Sequence, residues 1–359
     1  MHEGVAACTN LNHRNLLGGP IPATPQDATN ALVQTDESGV SPAGRTAGSF
    51  RSAFTCTVRA VEQIRRMRGG SQSHLMRCSD GNYYVVKFQN NPQHRRILVN
   101  ELLGTKLAAS LGLLTTAVAI IQVDEGLIRL TPDMHVETAL SGLTGFSRIP
   151  CHAGLQFGSR YPGGNPHRLT VLDFLPDKQV SSMRNLRDFA GMLVFDLWTC
   201  NTDGRQVIFG RQGVGTPYQG WMIDQGLCFN GGQWNFPDKP RRNLYDRTVV
   251  YEQVQGIETF NPWLAKLESE RVAQALLTIA KTIPPEWYEF DSEALQSLLV
   301  QLDSRRSKVR ELLWSVRKSY PYFFPNWTKT NETEGGNGHA TPNSNDTRKE
   351  ECSQCASHA

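Results

Sequence analysis

Side-chain character alternates along YYVVKF. Tyr83, Val85 and Lys87 share one side of an extended chain, and Tyr84, Val86 and Phe88 share the other. HLMRC precedes this run and SDGN lies between them; Asp80-Gly81 is a strong hairpin signal, so two antiparallel strands are expected here. The period then lengthens. Ile97, Leu98, Leu102, Leu103, Leu107 and Leu111 recur near helical spacing, which predicts an amphipathic helix ending at Gly112. AVAIIQV (117–123) and LIRL (127–130) read as two more strands. Residues 131–168 read as loop-rich, with Gly and Pro crowded into FGSRYPGGNPH, a connector or an acceptor-recognition loop; LTVLDFL (169–175) reads as a further strand.

Beyond residue 175 the pattern turns helical. MRNLRDFAGMLVFDLWTC is one buried helix, and a short β unit runs from QVIF to WMIDQGLCF. Asn261-Pro262 reads as an N-cap followed by proline at the first helical position. Leu295, Leu298, Leu299, Leu302, Val309, Leu312, Leu313 and Val316 form one long stripe over 292–318, and Trp234 and Trp263 read as core. A β-rich part, a linking strand and a helix-rich part carrying a small hairpin predict an α+β fold. Residues 1–52 and 327–359 are rich in small and polar residues without a sustained apolar period and are expected to be disordered. The folded part is expected over 53–326.

Composition narrows the function classes. The 359 residues are 39% hydrophobic, enough for a substantial core. A formal net charge of +3 without a clustered basic face argues against direct nucleic-acid binding. The basic cluster His94, Arg95 and Arg96 reads as a solvated face or a docking patch. No apolar run approaches the roughly 18 residues of a membrane span. The opening MHEGVAACTNLNHRNLL lacks the n- and h-regions of a secretory signal, and the eight cysteines read as free thiols, so a cytoplasmic location is expected. Cys352-x-x-Cys355 stands without a second pair and is a weak zinc signal. The N-x-T triplets at Asn326, Asn331 and Asn345 matter only in an exported chain.

Four groups carry chemistry. Gly69 and Gly70 open a bend through which main-chain N–H groups can approach phosphate oxygens without an intervening Cβ. Lys87 is a cation in an apolar strand and needs an anionic partner, either a phosphate or Glu101 on the next helix. WTCNTDGRQVIF (198–209) places polar residues between two buried segments. Asp203 suits a carboxylate that orients a hydroxyl and accepts its proton, with Asn201 and Arg205 to fix it. Gln206 offers a neutral oxygen to a hard cation. Asp224 ends an apolar strand, 21 positions after Asp203 (224 − 203), and Gly226 follows it. Each group alone is also compatible with an ordinary turn or a strand-end lysine. In this order they are the parts that phosphoryl transfer requires, because that chemistry rests on positioning and charge neutralisation.

The set resembles the HipA-like serine/threonine kinases, distant relatives of protein kinases and phosphatidylinositol kinases. GGSQSHL is similar to the family's phosphate loop, DGNYYVVKF to its ATP-lysine strand, NELLGTKLAASLGL to its glutamate-bearing helix, NTDGRQ to its catalytic loop and MIDQG to its metal-binding segment. The resemblance implies a bilobal protein-kinase-like fold. Residues 53–175 would form the β-rich N-lobe and 176–326 the mostly helical C-lobe. It implies ATP and Mg²⁺ as cofactors, and a protein Ser/Thr hydroxyl as acceptor. Gly69, Gly70, Ser71, Gln72 and Ser73 would then cover the phosphates, and Lys87 would hold them with Glu101 positioning it. Leu172, Asp173 and Phe174 would meet the adenine as a hinge. Asp203 would act as base, and Gln206 and Asp224 would hold the metal. A protein substrate and a regulatory protein partner are expected, without membrane association. Two departures stand out. His74 replaces a frequent lysine, so one phosphate ligand is missing or pH-dependent, and Ile208 stands where the family's metal-binding Asn is usual. The departures leave two other readings open: a nucleotide-binding pseudokinase acting as a regulatory module, and a kinase for a lipid or small molecule.

Overall fold

Met76, Cys78, Tyr84, Val86 and Phe88 have one parity along the predicted hairpin and are buried together in one cluster. Their shared face curls the first half of the chain around itself. The computed structural model describes residues 57–139, 145–164, 171–211, 213, 215–238 and 243–328. The segments expected to be disordered lie almost wholly outside these residues, as does the Cys352/Cys355 pair. In chain order the first half comprises β1 (Thr57–Arg66), β2 (His74–Cys78), β3 (Tyr83–Lys87), helix α1 (Ile97–Ser110), β4 (Val118–Val123), helix α2 (Glu125–Leu130), β5 (His135–Ala139), β6 (Phe146–Pro150) and β7 (Gly154–Arg160). Five of these strands close a barrel in the order β1-β2-β3-β7-β4; β5 and β6 form a separate ribbon. All barrel pairings are antiparallel except that of β1 with β4.

The second half comprises α3 (Asp177–Val180), α4 (Asp188–Thr199), β8 (Gln206–Gly210), β9 (Gln219–Ile223), α5 (Asn261–Glu268), α6 (Glu270–Ala280), α7 (Ser292–Arg305) and α8 (Val309–Ser319). α1 was expected to be amphipathic. Eleven of its residues are buried, including Asn100, Glu101 and Thr105, because the barrel covers one side and the helices of the second half another. A helix enclosed on most sides loses its polar face.

Several expectations are corrected. LIRL is part of helix α2, not a strand. Leu127 and Ile128 pack on the barrel cluster while Leu130 is exposed, and so short an apolar run carries no period that separates the two states. The supposed loop 131–168 holds three strands, and FGSR belongs to β7. Gly158 looks like loop punctuation, but a Cβ there would lie 2.4 Å from Ile121 Cγ1, so the closed barrel leaves room only for glycine. In LTVLDFL, among the described residues 171–175, only an isolated bridge forms, between Leu172 and Phe209. Asn261 is itself helical and Phe260 takes the cap position. The stripe over 292–318 breaks at a 3₁₀ turn, Arg306–Lys308. In the basic cluster His94 is exposed, as a solvated face requires, but Arg96 is only partly so. It stacks 4.4 Å from the Trp234 ring centre and pairs with Asp291 at 3.2 Å. Trp234 and Trp263 are buried.

His74 is corrected too. Strand parity turns it into the barrel, away from Lys87. Its Nε2 lies 3.6 Å from Cys151 Sγ, the Phe88 ring meets it edge-on, and its Nδ1 finds no protein partner. Burial, followed by the nearby Arg66, lowers its pKa from 6.5 to about 4. The unfolded chain therefore takes up this proton first as pH falls. The stability tied to neutral His74 is complete above pH 6.5 and is lost as pH falls through about 4. Urea unfolding from pH 7 to 4 should show a smaller loss of stability in His74→Leu than in wild type; parallel curves would contradict the assignment.

Candidate active site

The strand face opposite His74 opens into a cavity of about 610 Å³. β3 turns Val85 and Lys87 toward it. Lys87 is buried, and its Nζ makes ion pairs with Glu101 Oε1 and, at 2.8 Å, with Asp224 Oδ1. Glu101 uses its second oxygen to accept the Gln225 main-chain N–H at 3.0 Å. One carboxylate thus fixes both the lysine and the loop that follows β9. Burial opposes the charge on Lys87, but Glu101 and Asp224 outweigh it and raise its pKa, so the lysine stays cationic. Burial likewise opposes ionisation of Asp224, but Lys87 prevails and holds its pKa down at about 2.

Local sterics shape that loop. Asp224 adopts a left-handed backbone conformation, φ +58°. A Cβ on Gly226 would sit 2.8 Å from Ile97 Cγ2 and 3.3 Å from Glu101 Oε1, so glycine permits the close approach of loop to helix. Asn100, one residue before Glu101, donates to the carbonyls of Gly226, Cys228 and Gly231, and its oxygen accepts from Trp234 Nε1 at 2.8 Å. Sequence reasoning missed this residue. The available signal was an amide in an otherwise apolar helical run.

The loop after α4 is held from beneath. Asp196, fully buried, forms a two-point ion pair with Arg205 and accepts from Asn201 Nδ2 at 3.1 Å. Arg205 also donates to the Ile223 carbonyl at 2.8 Å, tying the loop to β9. Asn201 Oδ1 accepts the Asp203 N–H at 3.2 Å, and Asn243 donates to the carbonyls of Asp196 and Asn201. Arg205 was expected, with Asn201, to fix Asp203. It acts through Asp196 instead, and Asp196 was missed, although an acid inside FAGMLVFDLW was a visible anomaly. Asp203 itself accepts the Gly204 N–H at 2.8 Å and leaves its other oxygen near Gln206 Nε2, at 3.4 Å.

The cavity lining contains Gly69, Gly70, Ser71, Ser73, Lys87, Glu101, Asp173, Asp203, Gln206 and Asp224. Three expected residues are absent from it. Gln72 turns its amide outward, bonding both the N–H and the C=O of Glu137 on β5. The Leu172 N–H and C=O are both bonded to Phe209. Phe174 lies on the surface beneath the Arg247 guanidinium. Arg65, Arg68, Thr116, Phe157, Ile208, Ile223 and the barrel exit Ser159–Pro162 line the cavity and were not anticipated. Register explains the barrel exit, because β7 pairs directly with β3, which no local pattern announces.

Among the described residues no group of three His, Cys, Asp or Glu side chains could enclose a metal. Gln206 pairs across the β8–β9 ribbon with Ile223, next to Asp224. Gln206 and Asp224 therefore offer a partial set of hard oxygen donors. Such a set suits a magnesium-type cation that completes its shell with water and phosphate oxygens.

This combination of buried lysine–glutamate pair, loop aspartate and post-strand aspartate around one cavity is that of a kinase. Residues 60–213 match the family described as HipA-like kinase, which bears out the resemblance carried by the motifs. Solved structures similar to the chain include the proinflammatory kinase CtkA of Helicobacter pylori (15% identity, 74% of this chain and 99% of that one, TM-score 0.39). They also include the Golgi casein kinase with Mn/ADP bound (11%, 75% and 74%, 0.37). A third is HipA in the Shewanella oneidensis MR-1 toxin–antitoxin complex with HipB and operator DNA (14%, 72% and 68%, 0.37). No curated protein matches the chain. Among the described residues no helix is long and apolar enough to cross a membrane.

Proposed function

We propose that the chain is an ATP- and Mg²⁺-dependent kinase that transfers a phosphoryl group to a Ser or Thr hydroxyl of a protein in the cytoplasm. The observation that carries this reading is the convergence of Lys87, Glu101, Asp203 and Asp224, distant in sequence, on one cavity. In this reading residues 53–175 and 176–326 act as two lobes with the nucleotide between them. The Gly69–Gly70 bend and Ser71 and Ser73 cover its phosphates. Lys87 exchanges its contact with Asp224 for phosphate oxygens and keeps Glu101 as its anchor. Asp203 orients the acceptor hydroxyl and takes its proton. Mg²⁺ held by Asp224 and Gln206 would neutralise charge on the phosphate oxygens. A regulatory protein partner is part of the same proposal, and direct nucleic-acid contact is not.

Purified chain incubated with labelled ATP and Mg²⁺ should label itself or a protein acceptor. Lys87→Met should reduce that labelling by about 10²–10³-fold, the usual cost of removing one preorganised donor to a reacting oxyanion. Labelling of a lipid or small-molecule panel alone would change the acceptor class. An ATP-induced rise in Tm without any transfer by wild type would make the chain a nucleotide-binding regulatory module. Absence of both would defeat the proposal.

A further inference from the structure

We infer that Gln72 is a positioning residue for the phosphate bend: its side-chain amide fastens the bend to the free edge of β5, so that the β5–β6 ribbon holds the bend in the shape that receives nucleotide phosphates. The inference rests on the nucleotide-site reading above and concerns only what organises the phosphate end. The β1–β2 ladder ends at the pair Arg66–His74, and the Met67 N–H donates to Ser73 O at 2.8 Å to close the mouth of the bend. Within the bend the Gln72 N–H donates to Gly69 O at 3.1 Å. Gly69 and Gly70 are both exposed, and residues without a Cβ have wide backbone freedom. Left to itself, such a bend samples many shapes and must be ordered when a phosphate binds.

The ordering contacts come from outside the bend. Gln72 Oε1 accepts the Glu137 N–H at 2.6 Å, and Gln72 Nε2 donates to Glu137 O at 2.7 Å. In an antiparallel ribbon the N–H and C=O of one residue point to the same edge. Those of Glu137 therefore face the bend, while β6 pairs along the other edge of β5. The Gln72 amide occupies the free edge as a further strand would. Arg66 completes the arrangement: its guanidinium donates to Gln72 Oε1 at 3.3 Å and to Glu137 Oε1 at 3.1 Å, and lies 3.0 Å from His135 Nε2. Gln72 reaches this position at φ +46°, a left-handed conformation that is unfavourable with a Cβ and persists where surrounding contacts impose it. Its neighbours Ser71 and Ser73 are buried and line the cavity. Turning Gln72 out to the ribbon leaves these two on the cavity side, and a bend already ordered loses less freedom when phosphate binds.

The test measures dissociation constants of the full chain for Mg²⁺-ATP and for adenosine, which lacks the phosphates. Gln72→Leu removes the amide; Glu137→Pro removes the N–H it accepts, at a strand edge where proline is tolerated; Glu137→Ala removes only the carboxylate. Gln72→Leu and Glu137→Pro should each weaken Mg²⁺-ATP by about ten-fold or more, with adenosine within about three-fold of wild type and Glu137→Ala close to wild type for both ligands. The double variant Gln72→Leu with Glu137→Pro should lose little more than either single one, because both break the same contact. Unchanged Mg²⁺-ATP affinity in Gln72→Leu, equal losses for adenosine, additive losses in the double variant, or a loss in Glu137→Ala as large as in Glu137→Pro would each overturn the inference. Hydrogen exchange on the nucleotide-free wild type adds a check that needs no substitution: the Glu137 N–H should be protected, and exchange as fast as at an open strand edge would overturn the inference as well. Failure of wild type to bind either ligand would instead remove the nucleotide-site reading itself.

Discussion

Asp203→Asn should lower phosphoryl transfer by about 10²–10⁴-fold, the range of a lost general base, while leaving the ATP dissociation constant and Tm nearly unchanged. Asp203 is held by its neighbours and holds little in return. Its own N–H is fixed by Asn201 Oδ1, one carboxylate oxygen accepts the Gly204 N–H, and the other meets only Gln206 at 3.4 Å. An asparagine oxygen can keep the Gly204 bond, so the loop should survive. What disappears is the capacity to take a proton. Single-turnover transfer together with ATP titration separates the two quantities. Activity within three-fold of wild type would remove Asp203 from the base role. A parallel fall in ATP affinity would place it in nucleotide binding instead.

Asp196→Ala should be the most destabilising single change near the site, by about 3–5 kcal/mol, because it leaves the buried Arg205 cation without its anion. Arg205 and Asp196 are almost wholly inaccessible to water. Burial pushes the Asp196 pKa up against the opposing pull of Arg205, so the pair persists only with both members present. In a chain of this size the loss corresponds to a fall in Tm on the order of 10 °C. The double change Asp196→Leu with Arg205→Met should recover part of the stability, since apolar replacement of a buried pair is often tolerated. It should not recover activity. The Arg205 bond to Ile223 O and the Asn201 bond to Asp196 would both be gone, and Asp203 would lose its support. Thermal melts and transfer assays on the same three proteins would show this split. A double variant as active as wild type would make the pair purely structural.

Much of the site was written locally. Strand alternation alone put Lys87 on one face with Val85, and the structure keeps that face toward the cavity. The Asp80-Gly81 hairpin, the helix carrying Glu101 and the β8–β9 ribbon formed where turn chemistry and periodicity placed them, because residue type and spacing within each segment mark it as strand or helix. Leu172 and Gln72 show the limit of such reasoning. Both sit in motifs of the expected composition, yet their polar groups are engaged elsewhere: Leu172 by Phe209, 37 positions away (209 − 172), and Gln72 by Glu137. Hydrogen-bond satisfaction over such separations follows from packing and leaves no local trace.

The order of the chemical groups, the alternating strand and the buried helices were thus settled by residue type and spacing, which act within a few residues of each other. The closure of the barrel through β7, the outward turn of Gln72, the inward turn of His74 and the anchoring of the Asp203 loop by Asp196 and Arg205 came from contacts between segments far apart in the chain. Such contacts depend on which surfaces meet when the core forms. A glycine demanded by Ile121 across the barrel or an aspartate demanded by a buried arginine therefore reads, one residue at a time, as a loop signal or a misplaced charge.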